Sequence, residues 1–593
     1  MTKLSLILII FINSFTFAQN PKLEFAKSYF EASKYEDAGR IFKELYDTDN
    51  NNMDYFSGLV QSYNYLNRHK ELVPIVEKNL KNNYHFLLDV FLGELYLKVE
   101  GKDKALTHWN KILNDNKDKH EVYISVSEAM TSNRLFDESI IVVENARKKF
   151  KLSTFDDRLV KLYITKSDYK KGSELVIDIL NVDRDLIKAE GHIYAFMNSK
   201  ESKDYLKNYL LSQSDKNPNN IYIQELIAWY FRTTDDLASA FEVYLRLDKL
   251  KNTNGREILN FADLSRKDGY YKEALNAYEI IIDNKEYERY KRNAIYGYAL
   301  ALEDQLKGND KVSKEQAETI LKRYKELISL NNNSNEAIDA MFRIAIIKKK
   351  WLNDYESSNN DLRNLMNNYS RYPIASEAGL QLGLNYMELG QIEKSREILL
   401  EVYEYHIRNN KNLESIVEYN LANSYYFLGS IDSSRSLYER LTANEKDDIS
   451  NDALEKIFII DENQEFPDAL KLYAKAEYEL FKNNLEDAKL IFSSIYKNYK
   501  TTKISERSAY NYASILFNEK KYKEVIQFIE DFRFNNANSI YSDKMLILLA
   551  DSYYLSGDND KAIEKLKEIL IDYSNSIYIQ EVRDKIKKYR SEI

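Results

Sequence analysis

The stretch Ile416–Leu441, IVEYNLANSYYFLGSIDSSRSLYERL, decides the fold. Read as two short helices joined by Gly429-Ser430-Ile431-Asp432, it puts small Ala422 and aromatic Tyr425 on one face of the first helix. Ser434, Tyr438 and Leu441 then share a face of the second. This is a helical hairpin in which small residues let two helices approach and bulky ones fill the gaps to the next hairpin.

The spacing recurs along the chain. Ala26, Tyr29, Ala38, Phe42 and Leu45 repeat it, and the anchoring position returns at Val60, Gly93, Ser127, Val160, Tyr194, Ala228 and Ala262, every 33 or 34 residues. After Ala262 the rhythm lengthens through Gly297, Ala345, Gly383, Ala422, Ala476, Ala513 and Ala550. A fixed period of this size marks an array of stacked units, none of which can bury its apolar face alone.

Three segments carry a resemblance: LGELYLKVEGKDKALTHWNKIL (Leu92 to Leu113), FADLSRKDGYYKEALNAYEIII (Phe261 to Ile282) and LADSYYLSGDNDKAIEKLKEIL (Leu549 to Leu570). With Gly93, Tyr96, Ala105 and Trp109, or Ala550, Tyr553, Gly557, Ala562 and Leu566, they resemble tetratricopeptide repeats. The resemblance implies an all-α, right-handed superhelical solenoid of about 15 hairpins with no β-sheet. The longer second-half repeats, with helix exits such as Asn367 to Ala378 and Ile571 to Ile586, are similar to periplasmic tetratricopeptide proteins of outer-membrane and cell-envelope assembly. The family's end-of-repeat proline survives only as Pro218, and glycine is often missing from the inner turn.

The expected organisation is a signal peptide over 1–18, an N-terminal array over 19–290 with 33–34-residue repeats, and a second array over 291–446 with a lengthened inner loop near 307–313. An extra helix or joint follows over 447–465, with Pro467 opening the next helix. Terminal repeats and a polar capping helix fill 466–593.

Lys3, the apolar run Leu6 to Ile12 and the small-residue exit before Gln19 read as a secretory signal cleaved after Ala18, in preference to a membrane anchor. No later run is apolar enough to span a membrane. With no cysteine, disulfides, thiolate metal sites and a lipid-anchor cysteine are excluded, and the periplasm is the expected compartment. Lys+Arg 85 against Asp+Glu 94, interspersed, argues against nucleic acid.

No chemistry-bearing constellation emerges, so no catalytic, cofactor-binding or metal residue is assigned and no enzyme activity is expected. His69, His85, His108, His120, His192 and His406 lack metal-ligand spacing. The acid pairs Asp156-Asp157, Asp235-Asp236 and Asp447-Asp448 read as helix-start residues. The 48 tyrosines read as packing rings with their hydroxyls at the rim.

The resemblance implies a concave wall built from first-helix positions outside the hairpin core, which places Trp229, Tyr419, Tyr426, Phe427, Tyr510, Phe517 and Tyr554 there. Two readings stay open. Either these aromatics line a groove for a partner segment, or they pack on neighbouring helices and the extra helix near Ser450. The equivalent N-terminal positions, Lys27, Glu31, Asp263, Arg266 and Lys267, are more polar. The function expected is an exported, non-enzymatic scaffold for protein or peptide partners in the cell envelope, with a rival in a glycan- or peptidoglycan-associated module that stacks sugars on tyrosine.

Overall fold

The computed structural model describes residues 20–309, 311–442, 448–536 and 539–591. The leader over 1–18, Asp310 of the long loop, and Asp447 lie outside them. The described residues hold thirty-two α-helices, fifteen hairpins plus two unpaired helices, and no strand. The chain divides into two compact units, residues 1–261 and 262–593.

The hairpin Glu414–Phe427 and Ile431–Leu441 shows why the sequence folds this way. Ala422 and Ser434 are fully buried at the helix crossing, and Tyr438 is buried beside them with its hydroxyl donating to Asn423 Oδ1 at 2.6 Å. The first helix ends in a left-handed residue, Gly429 at φ +75°, which lets Ser430 N–H reach back to Tyr425 O at 2.9 Å. That closure is the Schellman helix stop.

Eleven inner turns close in the same way. Gly269, Gly390, Gly429 and Gly557 take the left-handed position in four of them. In the other seven it is Ser33, Asn67, Arg134, Ser167, Asp235, Asn483 or Lys520. Glycine is absent from these turns because each hydrogen-bonded stop tolerates a side chain pointing outward, at a conformational cost of about 1 kcal/mol.

Small residues on the first helices act as seats for rings. A Cβ on Gly93 would stand 2.1 Å from Trp109 Nε1, and the indole donates to Val90 O at 2.9 Å. At Gly297 a Cβ would stand 2.5 Å from the Tyr278 ring. One anchor assigned from spacing is displaced: Tyr194 is 64% exposed, and Ile193 takes the core position. Its helix, Leu186–Phe196, is short, and the next, Lys200–Lys216, restarts on a Ser199 capping box. The local register is set by that cap and not by the repeat.

The extra helix of unit 2 runs Asp448–Asp461, followed by Pro467–Phe481 with Pro467 in its first turn. The lengthened loop separates Glu288–Gln305 from Lys314–Leu330. The final helix, Ile579–Ser591, buries Val582, Ile586 and Tyr589 and turns Arg583, Asp584, Lys587 and Lys588 outward. It caps unit 2.

Unit 1 contains loosely closed hairpins, Leu186–Phe196 with Lys200–Lys216 among them. Met53–Tyr65 and His69–Asn82 touch far less than the helices of the hairpins on either side. Pro74 lies within the second helix. A proline there removes one backbone hydrogen bond and crowds the preceding turn, which bends the helix.

Candidate functional site

The seven predicted groove aromatics are divided between the two units. Trp229 is half-buried on Ile221–Thr233 in unit 1, while the other six belong to unit 2. Tyr426 corrects the reading most clearly. It is 0% exposed, with the Phe427 ring 5.9 Å away and Lys456 of the extra helix 5.0 Å over its face. Its neighbour Tyr425, assigned to the hairpin core, is the partly exposed one, with Arg396 over its ring at 5.6 Å.

The remaining five are half-buried against other rings. Tyr419 lies 5.8 Å from Tyr438, and Phe427 stacks on Tyr478 at 5.1 Å. Tyr510 stacks on Tyr541 at 5.8 Å, Phe517 meets Tyr522 edge-on at 5.5 Å, and Tyr554 stacks on Tyr589 at 3.8 Å. Each of the five thus has a ring partner elsewhere in unit 2. A buried Tyr426 cannot serve as a platform for a sugar ring.

The extra helix is fastened over this aromatic cluster by charge. Lys456 Nζ meets both oxygens of Glu477 at 2.8 Å, Arg435 grips Asp461 at 2.7 and 3.0 Å, and Arg507 reaches Glu455 at 2.6 Å. Burial, with Glu477 beside it, pushes the Tyr426 phenol well above its ordinary range.

The polar pairs singled out in the sequence are structural. Asp236 caps Leu237–Lys251, Asp156 pairs with Arg147, and Asp157 meets Lys188 at 3.0 Å and His192 at 3.3 Å. His108 lies 2.9 Å from Asp89 Oδ1. Burial lowers the His192 pKa, and burial followed by the Lys98 charge lowers that of His69. No group of three or more His, Cys, Asp or Glu among the described residues could hold a metal ion.

A concavity in unit 1 was not foreseen. A cavity of about 670 Å³ opens beside the loosened hairpin, walled by the first helices Met53–Tyr65, Phe86–Val99 and His120–Ser132. Its apolar wall includes Met53, Phe56, Val60, Leu88 and Phe91. Its polar wall is rich in amides, Asn64, Asn79, Asn83 and Asn133, with the carboxylates of Glu94 and Glu128. The spacing of small and bulky residues carries no signal of it.

An apolar cleft set with convergent amides and carboxylates has the composition of a recognition site. Amide side chains offer both a donor and an acceptor, which suits the backbone of an extended segment.

Residues 545–576, spanning most of the hairpin Ser542–Leu555 and Asn559–Asp572, match the tetratricopeptide repeat family. No curated protein sequence matches the chain. Among solved structures it is similar to yeast Tom70, at 14% identity and a TM-score of 0.26 over 85% of this chain and 95% of that one. It is similar to the TPR domain of P58(IPK), at 16% identity and a TM-score of 0.20 over 72% and 99%. A tetratricopeptide repeat protein from Parabacteroides merdae aligns at 11% identity and a TM-score of 0.27 over 57% and 99%. Values this low carry nothing about partners or activity. The fold is an all-α array of tetratricopeptide-type hairpins, the kind of architecture that offers extended surfaces to protein partners. No helix among the described residues is long and apolar enough to cross a membrane.

Proposed function

We propose that the protein is an exported, non-enzymatic scaffold that holds protein partners in the cell envelope and contributes to envelope or outer-membrane assembly. Its unit 1 cavity takes an extended segment of a partner. The observation that carries this reading is the 670 Å³ cleft, where apolar side chains converge from three successive hairpins and two unpaired amide oxygens, Asn64 Oδ1 and Asn79 Oδ1, come from the first of them. The leader-like first eighteen residues and the absence of cysteine support export. The longer second-half repeats support the envelope role.

The test places a photo-crosslinking residue at Leu88, in the cavity, and at Lys104, exposed on the following helix. In intact cells the cavity position captures a defined envelope protein and the outer position does not. Capture of the same proteins from both positions, or of cytoplasmic proteins alone, contradicts the proposal.

A further inference from the structure

The polar wall of the unit 1 cavity holds two amide oxygens without a donor beside two carboxylates, and we propose that the segment it takes carries a lysine or arginine flanked by bulky apolar side chains. The inference rests on the reading of unit 1 as the site for a partner segment.

Two amide oxygens on the wall, Asn64 Oδ1 and Asn79 Oδ1, are buried and have no hydrogen-bond donor within the protein. Asn79 is only 3% exposed, so its amide belongs to the interior while lining the cavity. Buried acceptors left without donors are unfavourable, and a small turn of either amide would present its oxygen to an entering N–H.

Carboxylates stand beside them. Glu94 accepts from Asn133 Nδ2 at 3.1 Å and Glu128 from Arg158 Nη2 at 2.7 Å, and a carboxylate has lone pairs for several donors. The cation on the wall is engaged, since Lys98 Nζ lies 3.2 Å from His69 Nε2. His85 is the other titratable base at the rim.

A basic side chain answers both halves of the site. Its methylene stem packs on Met53, Phe56, Leu88 and Phe91 while its head reaches carboxylate and amide oxygens. The wall carries two carboxylates, Glu94 and Glu128, against one lysine, Lys98, so an acidic segment is the less favoured occupant.

The experiment titrates the full chain with three short fluorescent peptides, identical except for a central Arg, Gln or Glu between Leu and Phe, and follows anisotropy. The Arg peptide binds about tenfold more tightly than the Glu peptide. The substitution Glu94→Gln, which leaves the Glu128–Arg158 pair intact, removes most of that preference while the unfolding temperature stays unchanged. Equal affinities, a preference for the Glu peptide, or no binding of the Arg peptide to folded protein overturns the inference. Equal affinities that are all lost on Ser132→Trp leave the peptide-site reading standing and reject only the basic preference.

Discussion

Tyr96 donates its hydroxyl to Glu77 across 2.6 Å, tying the first helix of one hairpin to the second helix of the hairpin before it. The same kind of link joins Tyr163 to Glu144 at 2.9 Å and Tyr553 to Glu530 at 2.5 Å. Ring in the seam and hydroxyl on a carboxylate at its edge is one use of the chain's 48 tyrosines. The ring supplies burial, and the hydroxyl fixes how neighbouring hairpins sit.

Tyr96→Phe keeps the ring and removes the link. It should lower unit 1 stability by about 1 kcal/mol. A double-mutant cycle with Glu77→Gln, read by chemical denaturation, should show coupling between the two positions. Strict additivity would mean that the contact contributes nothing.

The buried tyrosines also set an alkaline limit. Burial, acting above all other causes, pushes Tyr230, Tyr296, Tyr419 and Tyr541 up to about 12. In the unfolded chain a tyrosine ionises near pH 10. Above that value the unfolded state sheds protons that the folded state keeps, so stability is complete below about pH 10 and is lost as the pH rises toward 12. Unfolding temperature should hold from neutrality to about pH 9 and then fall. Tyrosinate absorbance from all rings near pH 10, with helix content intact, would contradict the burial described.

Gly93→Ala should destabilise unit 1, because the new Cβ falls 2.1 Å from Trp109 Nε1 and the indole is held by its bond to Val90 O. Overpacking of this kind costs about 1–3 kcal/mol. Thermal unfolding followed by circular dichroism and by Trp109 fluorescence checks it, and an unshifted transition would show that the seam is looser than the geometry implies.

Arg134→Gly works in the opposite direction. Arg134 sits at φ +63° in an inner turn and is exposed, so glycine relieves the left-handed strain without removing a contact in the core. A gain of up to about 1 kcal/mol is expected, reduced by the greater freedom glycine has when unfolded. Denaturant titration showing a loss would place the residue's side chain in a structural role.

The hairpin period was legible because it depends on small and bulky residues at fixed separations, as Ala422, Ser434 and Tyr438 show. Which of two adjacent aromatics faces inward was not. Tyr425 and Tyr426 lie about 100° apart on the helix, and only the position of the extra helix, with Lys456 over Tyr426, decides between them. Ile193 and Tyr194 are likewise adjacent, and there Ile193 is the buried one. The cavity was illegible because it is made of separation between helices, and no pattern in Met53–Tyr65 or Phe86–Val99 records how far apart they stand.

The central claim is that unit 1 holds its partner in the cavity. The most direct measurement fills that space: Ser57→Trp and Ser132→Trp place rings from two walls into it, with Phe458→Ala on the exposed face of the extra helix as the control. Photo-crosslinking from Leu88 in intact cells should lose the captured envelope protein in the two tryptophan variants and keep it in the control, with all three proteins folded. Undiminished capture by the filled cavity, or its loss in Phe458→Ala alone, would contradict the account.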